Sequence, residues 1–292
     1  MIFLGPNELG FPPTLTNPEP SALAAGLGLP SGLTSIPAPP AASADGSVGR
    51  LPADRRLDVI FVGAHPDDLE IACGGTIHSL VKQGYRVGMV DLTDGEPTPS
   101  SPAPHHRWAE AKAAGEILGV AYRRLLHLPN RRLMDGFDER VALAKEFRFW
   151  RPSMVVGFGN KTPMASPDHF QAMQITDAAV FYSRLTKWDE HFDGLPPHSI
   201  STQLYFKLAY EPAQIAGFDS LVTVDISDSL EAKLASVACY KTQFPPARSH
   251  VFDRVRGLAV AAGAAASVAA GEVFATTRPV AVDDLMKFCR QA

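Results

Sequence analysis

From residue 57 to residue 183 the chain alternates short apolar runs with longer helix-forming stretches, and this alternation restricts the fold more than any other feature. Residues 57–63 (LDVIFVG) form an apolar run ending in Gly, which reads as a buried strand. Residues 70–83 follow as a helix, and residues 86–92 (RVGMVDL) read as a second buried strand. A helix rich in Ala and Glu is predicted over 105–118, a third strand over 122–126 and a third helix over 138–149. Residues 153–158 (SMVVGF) read as another strand and 168–183 as another helix. Strands that are apolar throughout, each followed by a helix, predict a mainly parallel sheet covered on both faces.

The fold class expected is therefore α/β, a Rossmann-like three-layer sandwich. In such sheets ligands bind beyond the carboxyl ends of the strands. The polar clusters stand there: residues 64–68 after the first strand, 93–96 after the second, and 160–169 after a later one. Beyond residue 206 the pattern is less regular. Residues 221–225 read as a strand, 228–240 as a helix, 254–270 as an Ala/Val-rich helical stretch and 281–289 as a last short helix, all within the same domain.

Residues 1–55 have a different texture, rich in Pro, Gly, Ser and Ala with little periodicity. Such a segment buries too little apolar area to offset its ordering entropy, so it is expected to be a disordered low-complexity tail ahead of a 56–292 domain. No internal repeat is visible. With 46% hydrophobic and 20% charged residues, the chain is expected to be a soluble globular protein. Its net charge of −4 and lack of clustered Lys and Arg argue against nucleic acid as a partner. The pairs Arg55-Arg56 and Arg131-Arg132 read as solvated surface. Cys73, Cys239 and Cys289 are far apart, which argues against a disulfide framework and against a thiolate zinc site, and points to a reducing cytoplasm. No uninterrupted apolar stretch reaches membrane-spanning length, and the start lacks the pattern of a signal peptide.

The loop after the first strand carries the chemistry. His65 and Asp68 lie three residues apart in a segment stiffened by Pro66. Zn2+ accepts an imidazole nitrogen and a carboxylate oxygen at about 2.0–2.2 Å, and a catalytic zinc typically has three protein ligands with one position left for water. His65 and Asp68 would supply two. Asp67 then need not be a ligand and can accept a proton from the zinc-bound water, whose pKa zinc lowers to roughly 7. A plainer reading competes with this one: Asp at a helix start is a good cap, and acid is favoured there. A phosphoacceptor carboxylate would explain paired acids after a strand, but not the His-Pro that precedes them.

Gly63-Ala64-His65-Pro66-Asp67-Asp68, then Leu69-Glu70-Ile71 and Gly74-Gly75-Thr76, resembles the signature of the PIG-L/LmbE-like zinc-dependent de-N-acetylases. Those enzymes remove an acetyl group from N-acetylglucosamine conjugates. The resemblance implies that His65 and Asp68 bind zinc and that Asp67 is the general base. The family's third ligand is the last residue of a His-Pro-Asp-His motif. Ser166-Pro167-Asp168-His169 corresponds to it, so the resemblance implies His169 as third ligand and Asp168 as a residue orienting its neighbours. Arg107 with Glu110 resembles the family's R-x-x-E helix, whose Arg approaches the substrate; an ion pair on a helix surface is the plainer reading. Leu128-Pro129-Asn130-Arg131 and residues 235–244 resemble members related to the bacillithiol-biosynthesis deacetylases. Arg107 and Arg131 are thus candidates for an anionic part of the substrate.

The departures matter too. Ser166 stands where the family has a His that supports the tetrahedral intermediate or protonates the leaving amine, and Ser cannot carry a positive charge. Met164 and Ala165 stand where members often carry Tyr or Arg, and Ala270 stands where a Tyr is common. The expected function is that of a metal-dependent amidohydrolase acting on a small-molecule sugar conjugate, with Ser166, Lys161, Asn160 or a group of the substrate assisting. The alternative is a zinc-containing binding protein with little or no catalysis. Fe2+ is an alternative metal, and self-association into a homo-oligomer is left open.

Overall fold

A computed structural model describes residues 56–208 and 220–276, together with residues 278, 279, 281 and 283. The expectations for residues 1–55 and for a last helix over 281–289 fall outside the described residues, as does Cys289.

The first half follows the expected alternation. β1 (Val59–Gly63) leads to α1 (Asp68–Lys82), β2 (Val87–Thr93) to α2 (Pro104–Leu118), β3 (Tyr122–Leu128) to α3 (Phe137–Trp150), and β4 (Met154–Phe158) to α4 (Asp168–Tyr182). Every residue of β1 and β2 is buried, because these strands have helices on both faces and need apolar side chains at every position. β3 mixes buried and part-exposed residues, as suits a strand at the sheet edge.

The second half adds β5 (Thr202–Phe206), β6 (Ser220–Asp225), α5 (Leu230–Val237), α6 (His250–Ala265) and β7 (Gly271–Thr276). The seven strands run in the order β3-β2-β1-β4-β5-β7-β6. All pair in parallel except β7, which is antiparallel to both β5 and β6. α3 packs on α4 in one helical layer, while α1, α2, α5 and α6 pack together in the other. Among the described residues the largest apolar cluster extends from Leu57 to Phe274, with two small clusters beside it. No described helix is long and apolar enough to cross a membrane.

Two sequence expectations needed correction. Residues 254–270 are not one helix: α6 stops at Ala265 and the chain returns as β7. Gly263 permits this, because a Cβ there would lie 2.6 Å from the Cα of Ala270. β5 and β7 also escaped the sequence reading. β5 carries Thr202 and Gln203 at its start, so it lacks the continuous apolar run that marked β1 and β2.

The strand order sets up the site. β1 and β4 are neighbours, yet the chain leaving β1 crosses to β2 on one side and the chain leaving β4 crosses to β5 on the other. The two loops diverge and open a crevice at the carboxyl ends of these strands, where ligands bind in open α/β sheets.

Candidate metal centre

The first loop begins where β1 ends against its neighbours. A Cβ on Gly63 would lie 3.1 Å from Leu69 and 3.4 Å from Asp91. The chain turns through His65 and Pro66 into Asp67, which adopts φ 113° and ψ −28°. For a residue with a side chain this region costs on the order of 1–3 kcal/mol, and it persists only where the surroundings enforce it. The Asp68 carboxylate helps to do so, since its Oδ2 accepts the main-chain N–H of Ala64 at 3.1 Å and of His65 at 2.9 Å. Asp67 itself makes no side-chain capping bond to α1, so the plainer capping role does not describe it.

The second loop joins β4 to α4. Ser166 starts the helix: its Oγ accepts the Asp168 N–H at 3.3 Å and its carbonyl accepts the His169 N–H at 3.3 Å. This brings His169 inward, stacked on Phe158 with ring centroids 4.8 Å apart and planes inclined by 13°. Asp168 joins three loops, because its Oδ2 lies 3.2 Å from His65 Nε2 and accepts the Arg131 N–H at 2.6 Å.

His65, Asp68 and His169 each bring a ligand atom into one cluster whose members lie within 4.8 Å of one another. Asp68 sits between the imidazoles, with Oδ2 3.4 Å from His65 Nδ1 and Oδ1 3.4 Å from His169 Nε2. The remaining ring nitrogens are spoken for: His65 Nε2 meets Asp168, and His169 Nδ1 lies 3.0 Å from Thr162 Oγ1. Metal-binding histidines are usually held in this way, through the nitrogen that faces away from the ion.

The donor set and the charges both fit a divalent cation. Two imidazoles and one carboxylate form a typical catalytic zinc set. Asp67, Asp68, Glu70, Asp91 and Asp168 are buried around the loop, faced by the guanidiniums of Arg107 and Arg123. A dipositive ion would offset the excess of buried carboxylate. Burial pushes the Asp67 carboxyl up to about 7, against the pull of Arg107. Burial acts in the same direction on Asp68, but the charge and hydrogen bonding of His169 and His65 outweigh it and hold Asp68 well below the usual carboxylate range. Burial disfavours the charged form of His65, yet hydrogen bonds with Asp168 and Asp68 raise it to about 9. Asp168 is also lowered: burial opposes this, and its bonds to His65 and to the Arg131 main chain prevail.

The other residues singled out in the sequence divide clearly. Arg107 lies beneath the first loop, 4% exposed, with Nη2 donating to the Pro66 carbonyl at 2.7 Å and Nη1 to the Gly95 carbonyl at 3.0 Å. It does not pair with Glu110, whose carboxylate instead accepts the N–H and hydroxyl of Thr242. Arg131 turns its guanidinium to the Pro97 carbonyl at 2.8 Å. Ser166 has its oxygen engaged at the start of α4. Thr162 and Phe158, which hold His169, were not foreseen. Neither belongs to a motif, and a proximity of seven residues across an irregular loop carries no periodic signal.

Residues 60–180 match the PIG-L family profile, described as GlcNAc-PI de-N-acetylase. The diacetylchitobiose deacetylase of Thermococcus kodakarensis is 32% identical over 196 residues, covering 64% of this chain and 70% of that protein. The 1D-myo-inositol 2-acetamido-2-deoxy-alpha-D-glucopyranoside deacetylase of Actinosynnema mirum is 27% identical over 230 residues, covering 63% of this chain and 80% of the relative. Among solved structures, a conserved protein from Thermus thermophilus, TT1542, superposes with a TM-score of 0.68 at 28% identity, covering 80% of this chain and 100% of that one.

Proposed function

The chain belongs to the PIG-L family of de-N-acetylases, and from that premise we propose that it is a zinc-dependent hydrolase removing an N-acetyl group from an N-acetylglucosamine-type conjugate. The observation that carries this reading is the convergence of His65, Asp68 and His169 with Asp67 beside them at the sheet's switch point. The two relatives named above are both deacetylases by name, and both names describe acetylated amino sugars.

His65, Asp68 and His169 would hold the cation. When bound, it supplies Lewis acidity toward a carbonyl oxygen and makes water more acidic. The chain's own groups do the rest. Asp67, next to the proposed ligand Asp68 in the chain, takes a proton from the water that attacks the acetamide carbon. A C–O bond forms, the C–N bond breaks, and the products are acetate and a free amine. The proton held on Asp67 goes to the departing nitrogen, the step for which the resemblance to the family motif implies a histidine at the position of Ser166. Asp168 and Thr162 keep the two imidazoles in orientation. Zn2+ is proposed over Fe2+ on the donor set.

Metal analysis of the purified protein, with amine release measured on N-acetylglucosamine and N,N′-diacetylchitobiose, tests this reading. Asp67→Asn should keep its metal and lose turnover by roughly 10²-fold or more. Protein that binds no divalent metal would refute the reading outright. The second reading, a zinc-containing binding protein, is favoured by one observation: the residue at the start of the Pro167-Asp168-His169 segment is Ser166, a neutral hydroxyl that accepts the Asp168 N–H and cannot carry a positive charge. Stoichiometric zinc without amine release would select it.

A further inference from the structure

Arg107 is buried and engaged by main-chain carbonyls of two loops. Its side chain is 5% exposed. One amino group, Nη2, donates to the carbonyl of Pro66 at 2.7 Å and lies 3.3 Å from Oδ2 of Asp67. The other, Nη1, donates to the carbonyl of Gly95 at 3.0 Å. A single guanidinium therefore ties the loop after β1 to the loop after β2, and grips the first of these at the residue before Asp67 and at Asp67 itself.

Two further features agree with this placement. Gly95 has φ +71°, and a Cβ there would lie 2.6 Å from Arg107 Cζ, so the missing side chain is the seat of the guanidinium. Glu110, one turn along α2, is bound to Thr242 and does not draw Arg107 away. The need for such a grip is also visible: Asp67 holds φ 113°, a conformation that its own main chain disfavours.

We propose that Arg107 is a positioning residue for Asp67, anchoring the strained backbone of the base and one of its carboxylate oxygens, and is not a contact for an anionic group of the substrate. This rests on the reading of Asp67 as the base. With Oδ2 engaged by Arg107, Oδ1 is the oxygen presented to the proton. A planar fork serves here better than an ammonium, because carbonyl and carboxylate are met from fixed directions.

The experiment uses the zinc-loaded 292-residue chain and N,N′-diacetylchitobiose, with Arg107→Met and Arg107→Lys compared with wild type. A positioning role predicts kcat lower by about 10²-fold with KM changed by less than about threefold and metal content unchanged. Arg107→Lys, which keeps a charge but loses the fork, should recover only part of the loss. A rise in KM of about tenfold with kcat retained would overturn the proposal and make Arg107 a substrate ligand. The crystal structure of Arg107→Met gives a readout independent of turnover. Asp67 relaxed away from positive φ, or its carboxylate displaced, supports the proposal; Asp67 unmoved overturns it. If wild-type protein releases no amine, the hydrolase reading fails, and the structure of the variant alone decides the placement of Asp67.

Discussion

His65 and His169 are held through their outer ring nitrogens by partners of different kinds. Asp168 offers His65 a carboxylate, whereas Thr162 offers His169 a neutral hydroxyl. Both should matter to metal affinity. Thr162→Val keeps the volume and removes the hydrogen bond, leaving a buried ring nitrogen unpaired. Zinc affinity is expected to fall by about 10–100-fold, read by competition with a chromogenic chelator. Wild-type affinity in this variant would show that the stack on Phe158 alone orients the ring. At this scale the sequence was most legible where the chemistry is contiguous. His65, Asp67 and Asp68 lie in one short turn, so their relation follows from local geometry. Arg107 was visible as a residue but not in its role, because its direction depends on the missing side chain of Gly95, twelve residues earlier.

Among the elements, α1 shows what the Gly74-Gly75-Thr76 motif is for. The two glycines let other parts of the chain approach: a Cβ on Gly75 would lie 2.6 Å from Ile226, and one on Gly74 would lie 3.2 Å from Lys233. Into that space comes a buried ion pair between Lys233 of α5 and Glu272 of β7. The Glu272 carboxylate accepts the N–H of Gly75 at 3.0 Å and of Thr76 at 2.7 Å, and Lys233 also donates to the Ala72 carbonyl at 3.3 Å. The pair thus fastens the site-bearing helix to the second half of the sheet. Lys233→Met should leave Glu272 buried with its charge unpaired and cost about 3–5 kcal/mol in urea unfolding. Adding Glu272→Gln should recover part of that cost; no recovery would mean that the loss comes from packing.

A second contact at element scale links stability to pH. His198 donates from Nε2 to the Pro152 carbonyl at 2.7 Å, and its own carbonyl accepts the Ser183 hydroxyl after α4. Burial lowers its pKa below the ordinary 6.5, assisted by the nearby charges of Arg151 and Arg56. The folded protein thus binds this proton more weakly than the unfolded chain does. The associated stability is full above pH 6.5 and is lost as pH falls through the folded value. His198→Gln can still donate to Pro152 and should show a flatter decline of Tm between pH 7.5 and 5.5, an interval set about the histidine's ordinary pKa. An identical decline would place the pH response elsewhere.

Over the whole molecule, the proposed metal centre joins loops far apart in sequence, so an ion bound there would act as a cross-link present only in the folded state. Zinc at about a hundred times its Kd should stabilise the protein by about 2.7 kcal/mol, and a chelator should lower Tm accordingly. An unchanged Tm on adding zinc to metal-free protein would count against binding at a native site. A chain beginning at Arg56 is expected to melt cooperatively and take up the same equivalent of metal, since the described core and all the proposed ligands lie beyond that point. Loss of metal uptake on this truncation would assign the first 55 residues a part in the centre.

From its sequence alone, the chain was legible as a parallel α/β sheet with a His-Pro-Asp-Asp turn at a strand end, because burial on both faces demands unbroken apolar runs and the turn is local. The antiparallel β7 was not legible, since its pairing depends on where α6 stops and on how closely Ala270 can approach Gly263. Nor was the tertiary meaning of the arginine, serine and threonine around the site. Arg107 faces inward to two carbonyls and Asp67, Ser166 serves the start of α4, and Thr162 supports His169. A polar side chain takes its role from the partner it meets across the crevice, and only the packing of the sheet decides which partner that is.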